Sequence, residues 1–221
     1  MKLIVLFLLG TVIGSTAYCY AMRSYLGISQ IPRSFCDHCH RPLQWWQLIP
    51  LLGFLIQKGK CHFCHSPINF SSSIIEFSFG LICCSFYQVS LPSLLFYLIL
   101  LSWLLFLSLE DYFACSVSLL LLLFGIIINF LIFLPVILFH FQTQFWFWLM
   151  ITLLFLITNL FNLMGIADTI ILSFLFLIVG IYNFIMLLLF SSIGALLFAL
   201  VFSKKKLPFI PAIFLGTLFI L

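Results

Sequence analysis

Charge is nearly missing from this 221-residue chain: only 6% of it is Asp, Glu, Lys or Arg. A soluble domain carries about a quarter, so a globular protein with a solvated surface is excluded. Acids are scarcer still, at five in all, and Asp168 is the only formally charged residue between Asp111 and Lys204. Alternation of apolar and polar residues with turn signals is also missing, which argues against a membrane β-barrel. No glycine-rich nucleotide loop is readable. The net charge of +4 is no nucleic-acid signal: apart from Lys2, its cations sit in residues 23–60 and in Lys204-Lys205-Lys206.

What is present is apolar: 65% hydrophobic and 19% aromatic residues. A membrane span needs about 20 apolar residues. On that measure the chain reads as an all-α membrane protein of about eight transmembrane helices, with a small cysteine-rich domain between the first and second. The expected division is a first helix over 1–22, a tetracysteine domain over 23–73 and a multi-span region over 74–221. Leu3–Tyr20 is the first apolar run; a signal peptide is the competing reading, and a retained span fits better with Arg23 close behind. The later spans are expected at Ile74–Tyr87, from Pro92-Ser93 to Leu109, Val117–Leu138, Phe145–Met164, Thr169–Gly180, Phe184–Phe202 and Pro208–Leu221. A polar break at His140–Gln144 separates the fourth from the fifth, with His140 read as an interfacial residue. Cations concentrated after the first span put the N-terminus outside and residues 23–73 in the cytoplasm. Counting spans then places the ends that carry Asp111, Asp168 and the lysine triplet on that same side.

Residues Met22–Ser73 are the one polar segment, too short for a large core, so a staple is expected. Cys36-Asp37-His38-Cys39 and Cys61-His62-Phe63-Cys64 are two C-x-x-C pairs separated by 21 residues, close to the spacing of a zinc ribbon. Cys36, Cys39, Cys61 and Cys64 are therefore the candidate metal ligands, with zinc the candidate metal. Two alternatives compete. Disulfides would suit an oxidising compartment, against the charge bias. Both pairs also continue into His40 and His65, giving the C-x-x-C-H pattern of covalent haem attachment. Further on, Ser71-Ser72-Ser73 reads as a helix cap with Glu76 in the first turn.

An ionisable residue inside an apolar run is a functional hypothesis by default. Met164-Gly165-Ile166-Ala167-Asp168 and Glu110-Asp111 hold every acid between Phe77 and Phe202. Two aspartates brought together could share a proton and activate a water, as an aspartic protease requires. A helix-end acid that snorkels to the interface, and a proton or cation relay in a transporter, are the alternatives.

In order along the chain, several motifs resemble the prepilin peptidase family, the type IV leader peptidases. They are Gly14-Ser15 with Arg23, Pro32-Arg33-Ser34-x-Cys36-x-x-Cys39, Ile49-Pro50, Gly59-Lys60-Cys61-x-x-Cys64, Pro67-Ile68, Glu76 and Leu207-Pro208-Phe209-x-Pro211. The resemblance implies a catalytic dyad of Asp111 and Asp168, with Gly165-Ile166-Ala167-Asp168 on the family's G-x-G-D motif. It implies prepilin or pseudopilin substrates cut on the cytoplasmic face after a Gly. In many members N-methylation of the new N-terminus follows, with S-adenosylmethionine as cofactor and the cysteine domain linked to that activity. Three departures stand out. Ala167 replaces the second glycine of the motif, Ile170 stands where many members have Lys, and Ser118 stands where a Pro is common.

Overall fold

A computed structural model describes the chain except residues 28–33, 37, 162–163 and 203–206, and the side chains of 201 and 202. The Pro32-Arg33 match and the lysine triplet therefore lie outside the described residues. The described residues form seven α-helices: α1 Lys2–Leu26, α2 Leu52–Ile56, α3 Ser71–Ser85, α4 Leu91–Ala114, α5 Leu119–Leu160, α6 Ile166–Phe202 and α7 Ile210–Leu218. The chain divides into two compact units, Met1–Leu98 and Ile99–Leu221.

In the first unit α1 packs on α3 through small residues. A Cβ on Gly10 would stand 2.8 Å from Cys83 Sγ and from the Gly80 backbone, and one on Gly14 would stand 3.1 Å from the Glu76 backbone. In an apolar solvent, close backbone approach of this kind replaces the hydrophobic effect as the force that pairs helices. Gly27 ends α1 in the left-handed conformation, at φ 66°, with its N–H returned to the Arg23 and Ser24 carbonyls. The predicted cap on α3 is corrected. Phe70 is the N-cap, and Asn69 Oδ1 accepts the Ser71 N–H and hydroxyl at 3.1 and 2.8 Å. Glu76 then falls in the second turn, buried, rather than in the first.

About eight spans were expected; four helices among the described residues are long and apolar enough to cross a membrane. They are α1, α4, α5 and most of α6, and α3 is a shorter apolar helix. Half of the difference arises because α5, with 42 residues, and α6, with 37, each run through a position expected to separate two spans; the other half because α3, with 15 residues, and α7, with 9, are shorter than a span. The two long helices are interrupted at those positions. Gln144 leaves helical geometry (φ −127°, ψ 20°) inside α5, and Gly180 (φ 75°, ψ 168°) inside α6. Inside the second unit the Trp103 indole donates to the Leu121 carbonyl at 3.1 Å and stands edge-on to Phe174, 5.9 Å between ring centres. Gly125 leaves the room that this indole occupies.

Candidate metal centre and intramembrane acidic site

The two cysteine pairs fold as two copies of one hairpin. Cys36 N–H donates to the Arg41 carbonyl (3.0 Å) and His40 N–H to the Cys36 carbonyl (2.9 Å). Cys61 repeats this with Ser66 (2.9 Å) and His65 (3.0 Å). Isolated antiparallel bridges close both, Phe35 to Pro42 and Lys60 to Pro67. His40 and His65 each take φ 55°, the left-handed region in which His is one of the better-tolerated side chains. The fifth residue of each C-x-x-C-H sequence is thus the turn residue of its hairpin. Arg41 lies 5.2 Å from the centre of the Phe63 ring, joining one hairpin to the other.

The result is a cluster. The four Sγ atoms of Cys36, Cys39, Cys61 and Cys64 lie within 4.8 Å of one another, an arrangement that could hold a metal ion. Cys36 and Cys64 are 3.8 Å apart, about the edge of a tetrahedron with metal–sulfur distances near 2.3 Å. All four are unbridged thiols. The Ser66 hydroxyl, 3.0 Å from Cys64 Sγ, and the Ser66 backbone hold the Cys64 thiol down at about 6. For Cys39 the Arg41 backbone acts downward, and burial with its bonds to the other three thiols outweighs it, pushing the group up to about 11. One thiolate is thus favoured even without a metal, and a bound cation would deprotonate the others.

In the second unit Asp111 lies near the end of α4 and is 8% exposed. Its Oδ2 accepts the backbone N–H of Ile210 at 3.1 Å. Pro208 and Pro211 flank that amide, and α7 begins at it, so the positive end of a helix faces the carboxylate. Asp168 sits in the first turn of α6, half-buried, with its Oδ2 accepting the Gly165 N–H at 3.3 Å. It lies within electrostatic reach of Asp111. Ala167 is helical and needs no positive φ, so the replaced glycine leaves the backbone unstrained.

Glu110 belongs to different work. Only 3% exposed, it accepts the Ser118 N–H at 3.0 Å and the Ser118 hydroxyl at 2.9 Å through one oxygen, fixing the entry to α5. Sequence reasoning missed this pair, although Ser118 stood out as a departure. It also missed that Glu76 accepts the Leu51 N–H at 2.8 Å, and that the Pro208-Phe209-Ile210-Pro211 stretch presents an amide to Asp111. His140, read as interfacial, meets the Leu177 carbonyl through Nδ1 at 3.0 Å.

Comparison with known proteins adds to this geometry. Residues 8–89 match the bacterial peptidase A24 N-terminal domain. A prepilin leader peptidase/N-methyltransferase of Bacillus subtilis (strain 168) is 46% identical over 67 residues, 30% of this chain and 27% of that protein. Its namesake in Legionella pneumophila is 44% identical over 46 residues, 21% of this chain and 16% of the relative. That of Vibrio cholerae is 38% identical over 58 residues, 26% and 23%. The matched stretch thus spans about a quarter or less of each of these three relatives. No solved structure matches.

Proposed function

We propose that this chain, whose residues 8–89 belong with the bacterial peptidase A24 N-terminal domain, is a membrane aspartic endopeptidase. Its substrates are the leaders of type IV prepilin-like proteins, pilins or pseudopilins, cut at the cytoplasmic membrane face. N-methylation of the new N-terminus is the second activity. The observation that carries the reading is the buried Asp111 carboxylate, held by the Ile210 amide, with Asp168 in electrostatic reach.

Asp111 and Asp168 form the dyad and share one proton. The ionised partner takes a proton from a water, whose oxygen attacks the scissile carbonyl, while the protonated partner donates to the carbonyl oxygen. The leaving amine then receives the transferred proton. The Ile210 N–H and the Gly165 N–H orient the two carboxylates from outside the reaction. Zinc suits the four thiolates and staples the domain over 23–73. S-adenosylmethionine, when bound, supplies the methyl group.

The multi-span region over 74–221, following a first helix over 1–22, is read as bringing the total to eight crossings. A 42-residue helix is about 63 Å long, twice a hydrocarbon core of about 30 Å. Gln144 and Gly180 are read as the turns between crossings. In support, Gln144 Oε1 accepts the Ile181 N–H at 2.8 Å, drawing the two breaks to one place. A reporter fused at Gln57 is expected to behave as cytoplasmic and one at Gln142 as external; the reverse pair refutes this sidedness.

Cleavage of a panel of leader peptides by the purified chain in detergent tests the main reading. Asp111→Asn and Asp168→Asn are each expected to lower the rate by about 10³-fold or more, and the double variant no further, since the pair acts as a unit. Substantial cleavage by Asp168→Asn ends the aspartic-protease reading.

A further inference from the structure

Between the two cysteine hairpins, residues 44–60 fold with their polar side chains inward and their apolar ones outward. A single-turn 3-10 helix, Trp45–Leu48, packs on α2 so closely that a Cβ on Gly53 would run into the Gln47 carbonyl. Gln47 is buried and donates to Gln57 Oε1 at 3.1 Å. Trp45, by contrast, is 78% exposed and Leu55 66%, and Leu48, Leu52 and Ile56 are exposed with them. Leu52, Leu55 and Ile56 stand at i, i+3 and i+4 of α2, which is one face of a helix. Water does not favour such an arrangement. Large apolar side chains gathered on a surface mark a place that something apolar covers.

The packing against α3 points to what covers it. Leu51, the residue before α2, donates its N–H to Glu76, the sixth residue of α3 and about 8 Å along the axis from the first. The Phe54 ring lies 5.3 Å, centre to centre, from that of Phe70, the N-cap of α3. The segment is therefore held beside the opening turns of α3. With 15 residues α3 is about 22 Å long, so a bilayer with a core of about 30 Å must thin toward it. Charge agrees with a lipid surface. Residues 41–75 contain no acid, and α2 closes with a bond from the Gly59 N–H to the Phe54 carbonyl, 3.1 Å, that sets the exposed Lys58 and Lys60 at its end. Lysines beside an apolar, Trp-bearing face are the pattern of a segment lying in an anionic headgroup layer. We infer that this face binds lipid: Trp45, Leu48, Leu52, Leu55 and Ile56 sit in the headgroup layer, and Lys58 and Lys60 meet the phosphates of anionic phospholipids. The inference rests on the proposed crossing by α3 and is independent of the peptidase reading. A second copy of the chain fits less well, since it would set the same lysines against each other.

The test uses the full chain in vesicles of phosphatidylglycerol and phosphatidylcholine, with the photoreactive residue benzoylphenylalanine in place of Leu55. A second preparation carries it in place of Leu81, midway along α3. Both side chains are exposed, so their replacement leaves the packing intact, and thermal unfolding checks the fold. Illumination is expected to join position 55 to phospholipid. Lys58→Gln combined with Lys60→Gln is expected to lower that yield about 3–10-fold in the mixed vesicles and to leave it unchanged in phosphatidylcholine alone. The inference is overturned if position 55 of the folded chain joins a second copy or an added leader peptide in place of lipid. It is also overturned if the lysine changes leave the yield in mixed vesicles as it was. Lipid joined at position 81 and not at 55 overturns it while the crossing by α3 stands. Lipid joined at 55 and not at 81 supports lipid binding and contradicts the crossing; lipid joined at neither overturns both.

Discussion

The first unit draws its thiols from two short hairpins, each closed by its own backbone bonds and set 25 residues apart, Cys36 against Cys61. The second unit draws its acidic site from the end of α4, the start of α6 and the amide that opens α7. Polar groups are costly in both settings, and the two units manage them differently. The hairpins form locally, with turn geometry deciding the cluster. At the acidic site no local rule brings residues 111, 168 and 210 near one another, and helix packing has to do it. Local sites tolerate change in the rest of the fold, whereas assembled sites register every disturbance of the helices that carry them.

The sharpest way to break this contrast is to cross the two sites. Changing Cys36 and Cys61 together is expected to remove all bound metal, about one ion per chain by elemental analysis, and to loosen the first unit. Asp111→Asn is expected to keep the full metal content while losing cleavage. Metal retained by the double cysteine variant, or lost from Asp111→Asn, would join what the contrast separates.

A smaller effect is expected at the helix contact of the first unit. Gly10→Leu drives a side chain into Cys83 and the Gly80 backbone, and thermal unfolding in detergent should show a loss of about 1–3 kcal/mol. An unchanged unfolding temperature would mean that α1 and α3 do not pack this closely.

The smallest effect belongs to the pair that fixes the entry to α5. Ser118→Ala removes the hydroxyl bond to Glu110 and keeps the backbone one, a cost of about 0.5–1.5 kcal/mol. Glu110→Gln can still accept both bonds through its single amide oxygen and should lower cleavage by roughly tenfold or less. Glu110→Gln abolishing cleavage while Asp111→Asn spares it would reassign the acid.

Legibility in the sequence followed the same division. The cysteine hairpins could be read from spacing alone, because a tight turn leaves its residues close together in the chain. The C-x-x-C-H ambiguity could not be settled that way: His40 and His65 owe their place to a left-handed turn, a matter of φ rather than of side-chain chemistry. The acids at 111 and 168 were conspicuous by charge, and their isolation in apolar sequence was signal enough. What holds them was not readable, since the partner at Ile210 is a backbone amide and leaves no trace in residue type. The same holds for Leu51 and Glu76. The breaks at Gln144 and Gly180 fell where polar residues and a glycine marked them, but that each lies inside one long helix was not readable from a run of apolar residues.

The hydrogen bond between Asp111 and Ile210 joins residues 99 positions apart. A ribosome adding about 5–20 residues per second needs roughly 5–20 s to cover that distance. For that interval the first aspartate already exists while the amide that orients it does not, and both cysteine hairpins are complete. On the proposed reading, a protease destined to sit among other newly inserted membrane proteins is born without its cutting edge set. Synthesis of the helix that begins at Ile210 arms it.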